Sequence, residues 1–191
     1  NNSSIISKST LILNGTEDKP IIIKSSDSSG QGIFVLNASK RSILNHVYFE
    51  NLSNPIKNEW NLTGAITFYE SDVSINNCYF INNIKGDDYL NIIRSDFSIN
   101  NSNFNNIISD ALDADFSSGN MSNNIFNNCG NDGIDISGTN LTIDNIKMNN
   151  IGDKGISSGE GSSLTASNVE INNSEIAICS KDKSIIKIST A

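Results

Sequence analysis

Apolar residues in this chain come in short clusters, Ile21-Ile22-Ile23, Ile33-Phe34-Val35-Leu36 and Ile43-Leu44 among them, separated by Ser, Asp, Gly and Asn. That is the signature of short strands between tight turns. No stretch carries apolar residues at i, i+3 and i+4 over three turns, so no stable helix is predicted. A longer period overlies the alternation. Phe49, Phe80, Phe104, Phe126, Met148 and Ile171 stand 31, 24, 22, 22 and 23 residues apart. The long first interval is assigned to a loop inserted around Asn54-Pro55-Ile56-Lys57-Asn58-Glu59-Trp60. A recurrence of this length predicts a solenoid, in which each coil covers its neighbour's apolar face.

The polar positions keep the same beat. Three residues before each large apolar residue lies His46, Asn77, Asn101, Asn123, Asn145 or Asn168, and two after it lies Asn51, Asn82, Asn106, Asn128, Asn150 or Asn173. Asparagine tolerates the left-handed conformation of a corner, and its amide can bond its copy about 4.8 Å away on the next coil. His46 is read as a ladder member. Ile66, Leu90, Leu112, Ile134 and Ile156 form one inward strand file, and Phe68, Ile92, Ala114, Ile136 and Ser158 the next. Period-2 alternation then turns Thr67, Asn91, Asp113, Asp135 and Ser157 outward, with Tyr69, Ile93, Asp115, Ser137 and Gly159 two residues on. The preceding corner carries Asp88, Asp110, Asp132 and Asp153. The expected fold is all-β, a parallel β-helix of seven to eight coils of about 22 residues. Residues 1–20 are read as a lead-in strand or partial cap and 21–191 as the helix proper. The strand-like Ser184-Ile185-Ile186-Lys187-Ile188 leaves the last coil's edge open, which predicts further domains or end-to-end chain contacts there.

Composition narrows the function. Only 37% of residues are hydrophobic and the net charge is −8, which argues against nucleic acid and anionic membrane surfaces as partners. No apolar run approaches the roughly 18 residues of a membrane-inserted span. Three cysteines, one histidine and no Cys-x-x-Cys argue for buried free thiols and against a zinc centre, leaving oxygen ligands as the available metal chemistry.

Stacked coils put Asp113 beside Asp135 and Asp110 beside Asp132, about 5 Å apart, where like charges repel by about 1 kcal/mol in water and several in a drier groove. Three remedies exist: a hard cation held by Asp110, Asp113, Asp115, Asp132 and Asp135, with Ca2+ favoured; a carboxyl that stays protonated; or basic neighbours, for which Lys154 and Arg94 are placed. The corner aspartates are expected to be solvated turn formers. Asp113 and Asp135, inside strands where Asp has poor propensity, are expected to form a ligand or cation site. Trp60, Tyr69 and Tyr89 could offer sugar-stacking rings.

The 22-residue coils, the asparagine columns and the Asp132-Gly133-Ile134-Asp135-Ile136-Ser137 run resemble the right-handed parallel β-helix of the pectate-lyase-like superfamily over roughly residues 21–190. The resemblance implies an extracellular carbohydrate-recognising or carbohydrate-processing module with a polysaccharide or oligosaccharide partner. Under lyase-like chemistry Lys154 would be the base and Arg94 a charge partner; under hydrolase-like chemistry Asp113 and Asp135 would be the acid and the nucleophile or base. Asp110, Asp132, Asn91, Tyr69 and Trp60 would bind substrate. The alternative is a non-catalytic structural or adhesive segment of a larger secreted or surface protein.

Overall fold

A computed structural model describes residues 3–57 and 60–189, and among these every regular element is a strand. The chain winds into a parallel β-solenoid of about seven turns, each contributing a strand to three longitudinal sheets. The first sheet stacks Ile5–Ser7, Ile33–Leu36, Gly64–Tyr69, Asp88–Ile93, Asp110–Asp115 and Ile134–Ser137, and ends within the long strands Asn140–Gly159 and Ser163–Ser180. The second begins with Ile12–Asn14 on Ser42–Asn45, and the third with Ile21–Lys24 on Val47–Glu50. The residues read as a lead-in therefore already pair with the second turn on two sheets. At the far end Ile185–Ser189 pairs with Ser163–Ser167. The long interval between Phe49 and Phe80 is an inserted ribbon, Ile56–Lys57 antiparallel to Trp60–Asn61; Asn58 and Glu59 lie outside the described residues.

Inward files fill the coil because strand alternation sends every second residue to the axis. Phe80 stacks on Phe104 with centroids 4.5 Å apart and Phe104 on Phe126 at 4.7 Å. Cys78 and Cys129 are buried free thiols and Cys179 is half-buried.

Corners are set by left-handed residues. His46 and the five asparagines of its column have φ between 48° and 55°, and the Asn51 column between 54° and 57°. Side-chain amides bond along the stack in the second column, Asn128 donating to Asn106 at 3.0 Å, Asn150 to Asn128 at 3.0 Å and Asn173 to Asn150 at 2.8 Å. The third corner is built differently. Glu70, Arg94 and Phe116 are left-handed there, and the next residue begins a buried hydroxyl file. The Ser71 N–H donates to Ser95 Oγ at 2.8 Å, Ser95 N–H to Ser117 Oγ at 3.2 Å, Ser117 N–H to Thr139 Oγ1 at 3.0 Å and Thr139 N–H to Ser162 Oγ at 3.0 Å.

Candidate functional site

The outer side of the first sheet carries the acidic strip, in the register that alternation predicts. Asp113 pairs with Asn91 on one side and Asp135 on the other, and Asp135 pairs with Ser157. Both aspartates are half-buried, while Asn91 and Ser157 are 1% and 0% exposed. Asn91 Nδ2 donates to Asp113 Oδ2 at 3.1 Å, and its side chain also bonds Asp115. Among the described residues Asn91 Oδ1 has no donor, nor do Asp88 Oδ2 and Asp135 Oδ1, although all three are buried, and the Ser157 hydroxyl in register beside Asp135 is buried without a partner too. An acceptor stripped of water and left unpaired costs about 1–3 kcal/mol. The strip therefore has more buried oxygens than hydrogens to offer them.

The corner aspartates are not the solvated turn formers that composition suggests. Asp88, Asp110 and Asp132 are buried, and the last two cap the following coil. Asp110 Oδ1 accepts the Asp132 N–H at 2.7 Å and the Asn131 amide at 2.7 Å; Asp132 Oδ1 accepts the Lys154 N–H at 2.9 Å. This repeat places Lys154, not Asp153, at the end of the file. The Lys154 ammonium lies 3.5 Å from Asp132 and bonds Asp153, which holds its pKa above the ordinary lysine value.

Burial raises the carboxyl pKa values. Asp113 is pushed up to about 9 by desolvation first and then by the charges of Asp88, Asp115, Asp135 and Asp110. Desolvation lifts Asp88 to about 7 against a Thr63 hydrogen bond, and Asp110 to about 6 against the Asp132 N–H. Asp115 and Asp132 are raised for the same leading reason. Carboxylate oxygens of Asp87, Asp88 and Asp110 come within 4.8 Å of one another, a set that could hold a metal ion. Asp87 and Asp88 were absent from the ligand set expected from sequence. Their signal was the adjacent acidic pair one turn before Asp110.

Aromatic groups gather at the other end of this face. Trp60 on the inserted ribbon is 49% exposed and meets Phe34 edge-on at 5.7 Å; with Leu36, Leu62 and Tyr69 they line a shallow apolar depression. Phe34 lies in the outer file of Asp113 three turns away, through Thr67 and Asn91, or roughly 14 Å at the strand spacing. Arg94 sits at the corner beyond the strip, opposite Lys154. Its guanidinium lies 5.9 Å from the Tyr69 ring and 6.0 Å from Phe116, and Nη1 donates to the Tyr69 hydroxyl at 2.7 Å. The structure thus brings Asp110, Asp113, Asp115, Asp132, Asp135 and Asn91 together, with Lys154 and Arg94 on opposite flanks. Tyr89 is no sugar platform. It is fully buried, donating to the Phe49 carbonyl at 2.8 Å and packing edge-on against Phe80. Phe116, 57% exposed, was not foreseen from sequence.

No family profile and no curated protein sequence matches the chain. Among solved structures it is similar to a candidate glycosyl hydrolase from Parabacteroides merdae, at 9% identity and TM-score 0.41, over 83% of each chain. It is also similar to an alginate lyase from Paenibacillus, at 13% identity and TM-score 0.38, over 94% of this chain and 92% of that one. A glycan biofilm-modifying enzyme of Pantoea stewartii with a tailspike-like parallel β-helix aligns at 10% identity and TM-score 0.36, over 97% of this chain but 36% of its own.

Proposed function

We propose that this chain is a carbohydrate-processing β-helix module whose acidic strip binds Ca2+ beside a saccharide lying along the first sheet. The observation that carries the reading is the trio of buried, donorless oxygens, Asp88 Oδ2, Asn91 Oδ1 and Asp135 Oδ1, in a strip crowded with carboxyls. A hard cation is what such an oxygen-rich, hydrogen-poor patch accommodates best. Asp87, Asp88 and Asp110 would supply one cluster of ligands, and Asp113, Asp115, Asp132 and Asp135 surround it along the same face. A bound Ca2+ would neutralise these carboxylates and attract saccharide oxygens. Trp60 and Tyr69 would stack on sugar rings, and Arg94, held by Tyr69, would meet a saccharide oxygen or carboxylate. Lys154, kept charged by Asp153 and Asp132, serves this arrangement as a positive flank. A weak all-oxygen site fills at the Ca2+ levels outside cells, roughly 10⁻⁴–10⁻³ M, so an extracellular location belongs to the same proposal.

A second reading rests on Asp113 itself. A carboxyl raised to about 9 is protonated at neutral pH and could act as a general acid, with Asp135 one turn away as its partner. The coil spacing of about 4.8 Å approaches the roughly 5–5.5 Å of a retaining pair, so this reading predicts hydrolysis with retention.

Calorimetric titration with Ca2+ and thermal melts with and without chelator test the first reading. Binding heat and a higher melting temperature at pH 8 are expected; no heat and no shift would remove the ion. Incubation with uronate polymers and neutral glucans, followed by ultraviolet absorbance for unsaturated ends and by reducing-end assay, separates elimination from hydrolysis. Saccharide binding with neither product would favour a non-catalytic adhesive module.

A further inference from the structure

A second cleft lies on the third sheet, away from the acidic strip. It has a volume of about 250 Å³ and is lined by Glu17, His46, Tyr48, Asn77, Tyr79 and Asn101. Tyr48 and Tyr79 pair in register on the outer side, their rings stacked at 4.4 Å and 12°. Together they form one rigid, half-exposed aromatic wall.

The cleft coincides with a break in an asparagine ladder. In the middle of the column the amides bond their predecessors, Asn145 donating to Asn123 at 2.7 Å and Asn123 to Asn101 at 3.2 Å, while at its far end Asn168 turns to Asp144 Oδ1 at 2.8 Å. Above Asn101 the pattern stops. Asn77 Nδ2 turns sideways to Asn45 Oδ1 at 3.4 Å, and among the described residues no side-chain bond joins Asn101 to Asn77 or Asn77 to His46. The Asn77 carbonyl, the Asn101 amide and the His46 ring thus keep hydrogen-bonding capacity that Asn123 and Asn145 spend within the column.

Glu17 is delivered to this rim by a short turn closed by paired Thr16–Lys19 backbone bonds of 3.1 Å. The turn can seat only because Gly15 precedes it. A Cβ there would stand 2.6 Å from the His46 carbonyl oxygen. A backbone approach this close, beside the one histidine of the column, places a carboxylate against groups that still need partners.

We propose that this cleft binds a single neutral pyranose unit, at a site independent of the acidic strip. The lining offers acceptors in Glu17 and Asn77, donors in Asn101 and His46, and ring surface in the tyrosines, which is the mixture that hydroxyl groups and C–H faces of a sugar require. Among the described residues no Lys or Arg lines it to hold an anion, and the one carboxylate there is too few ligands for a hard cation. The volume falls below the roughly 300–1,000 Å³ of sites for drug-sized ligands, which fits one ring.

Saturation-transfer NMR on the whole chain, with the methyl glycosides of glucose, galactose and mannose as probes, tests the site. Transfer to the ring protons of at least one glycoside is expected, with a Kd of roughly 1 mM. Glu17→Gln, an exposed change that removes no core contact, and Tyr79→Ala should each weaken it about fivefold or more, and Gly15→Ala should do the same by displacing the turn. Transfer is read in chelator in a Trp60→Ala background, which removes the ion and the ring that the acidic strip would offer a sugar. The proposal is overturned by no transfer from any of the three glycosides in that background, or by transfer that survives both Glu17→Gln and Tyr79→Ala there.

Discussion

Asp113 spends its single clear hydrogen bond on Asn91, and four other carboxyls bear on it. Removing this carboxyl, which takes up a proton on folding when no ion is bound, should therefore stabilise the ion-free protein and weaken its hold on a cation. Asp113→Asn is expected to raise the melting temperature in chelator and to lower Ca2+ affinity about tenfold or more; a lower melting temperature with unchanged calcium heat would contradict this. Phe116 tests strain at the same scale. It holds φ at +49° while 57% exposed, at a corner where the next copy is Gly138, and a left-handed non-glycine residue costs about 1–2 kcal/mol. Phe116→Asn, matching the other corners, should gain roughly 0.5–1 kcal/mol in urea unfolding. A loss instead would show that the Arg94 stack on this ring outweighs the strain. Individual side chains were unevenly legible in the sequence. Asp113 and Asp135 were readable because an acid in the middle of a strand contradicts its propensity. Tyr89 was misread because at the bend where this sheet begins alternation fails, so that Tyr89 and Leu90 are both buried. Its small counterparts one turn to either side, Ala65 and Ala111, are buried too and leave room for the ring.

At the scale of a corner, the two kinds of ladder should differ in cost. Asn150 donates on the surface, and water can replace Asn128 as its partner. Ser117 Oγ instead receives the buried Ser95 N–H at 3.2 Å and passes its own proton to the Asp115 carbonyl at 2.8 Å. Ser117→Ala strands that N–H and should cost about 1–3 kcal/mol, whereas Asn150→Gly, which keeps the left-handed corner free of strain, should cost no more than about 1 kcal/mol. Urea midpoints of the two variants decide it, and equal losses would remove the distinction. The asparagine columns were visible in the sequence because few residues accept a left-handed corner. The hydroxyl file is as periodic, at Ser71, Ser95, Ser117, Thr139 and Ser162, yet it disappears among the many serines, since a hydroxyl suits turns generally. The same ambiguity displaced the end of the acidic file. Asp153 fits a column of aspartates by type, but the Lys154 N–H is the group that Asp132 caps.

Over the whole molecule the acidic strip makes stability depend on pH in a direction opposite to most folded acids. Asp113, Asp88 and Asp110 have folded pKa values of about 9, 7 and 6 against the ordinary 3.8. Between those limits the folded chain holds more protons than the unfolded one, so stability falls as pH rises. Their contribution is complete below about 4 and is lost progressively up to about 9. Asp27, lowered to about 2 by its Ser29 hydrogen bonds, acts in the reverse sense and only in strong acid. In chelator the melting temperature should therefore be highest near pH 4–5 and decline toward pH 9. Calcium changes the profile because the ion substitutes for the missing protons: a cation bound to deprotonated carboxylates stabilises most where those groups are ionised and competes poorly where they are not. Millimolar Ca2+ should flatten the decline above pH 6 and have almost no effect at pH 4.5. If the decline persists unchanged with calcium present, protonation of Asp113 is the device that relieves the strip, and the general-acid reading replaces the metal one. If neither solution shows a decline, the carboxyls are solvated, and the strip is a surface without a task.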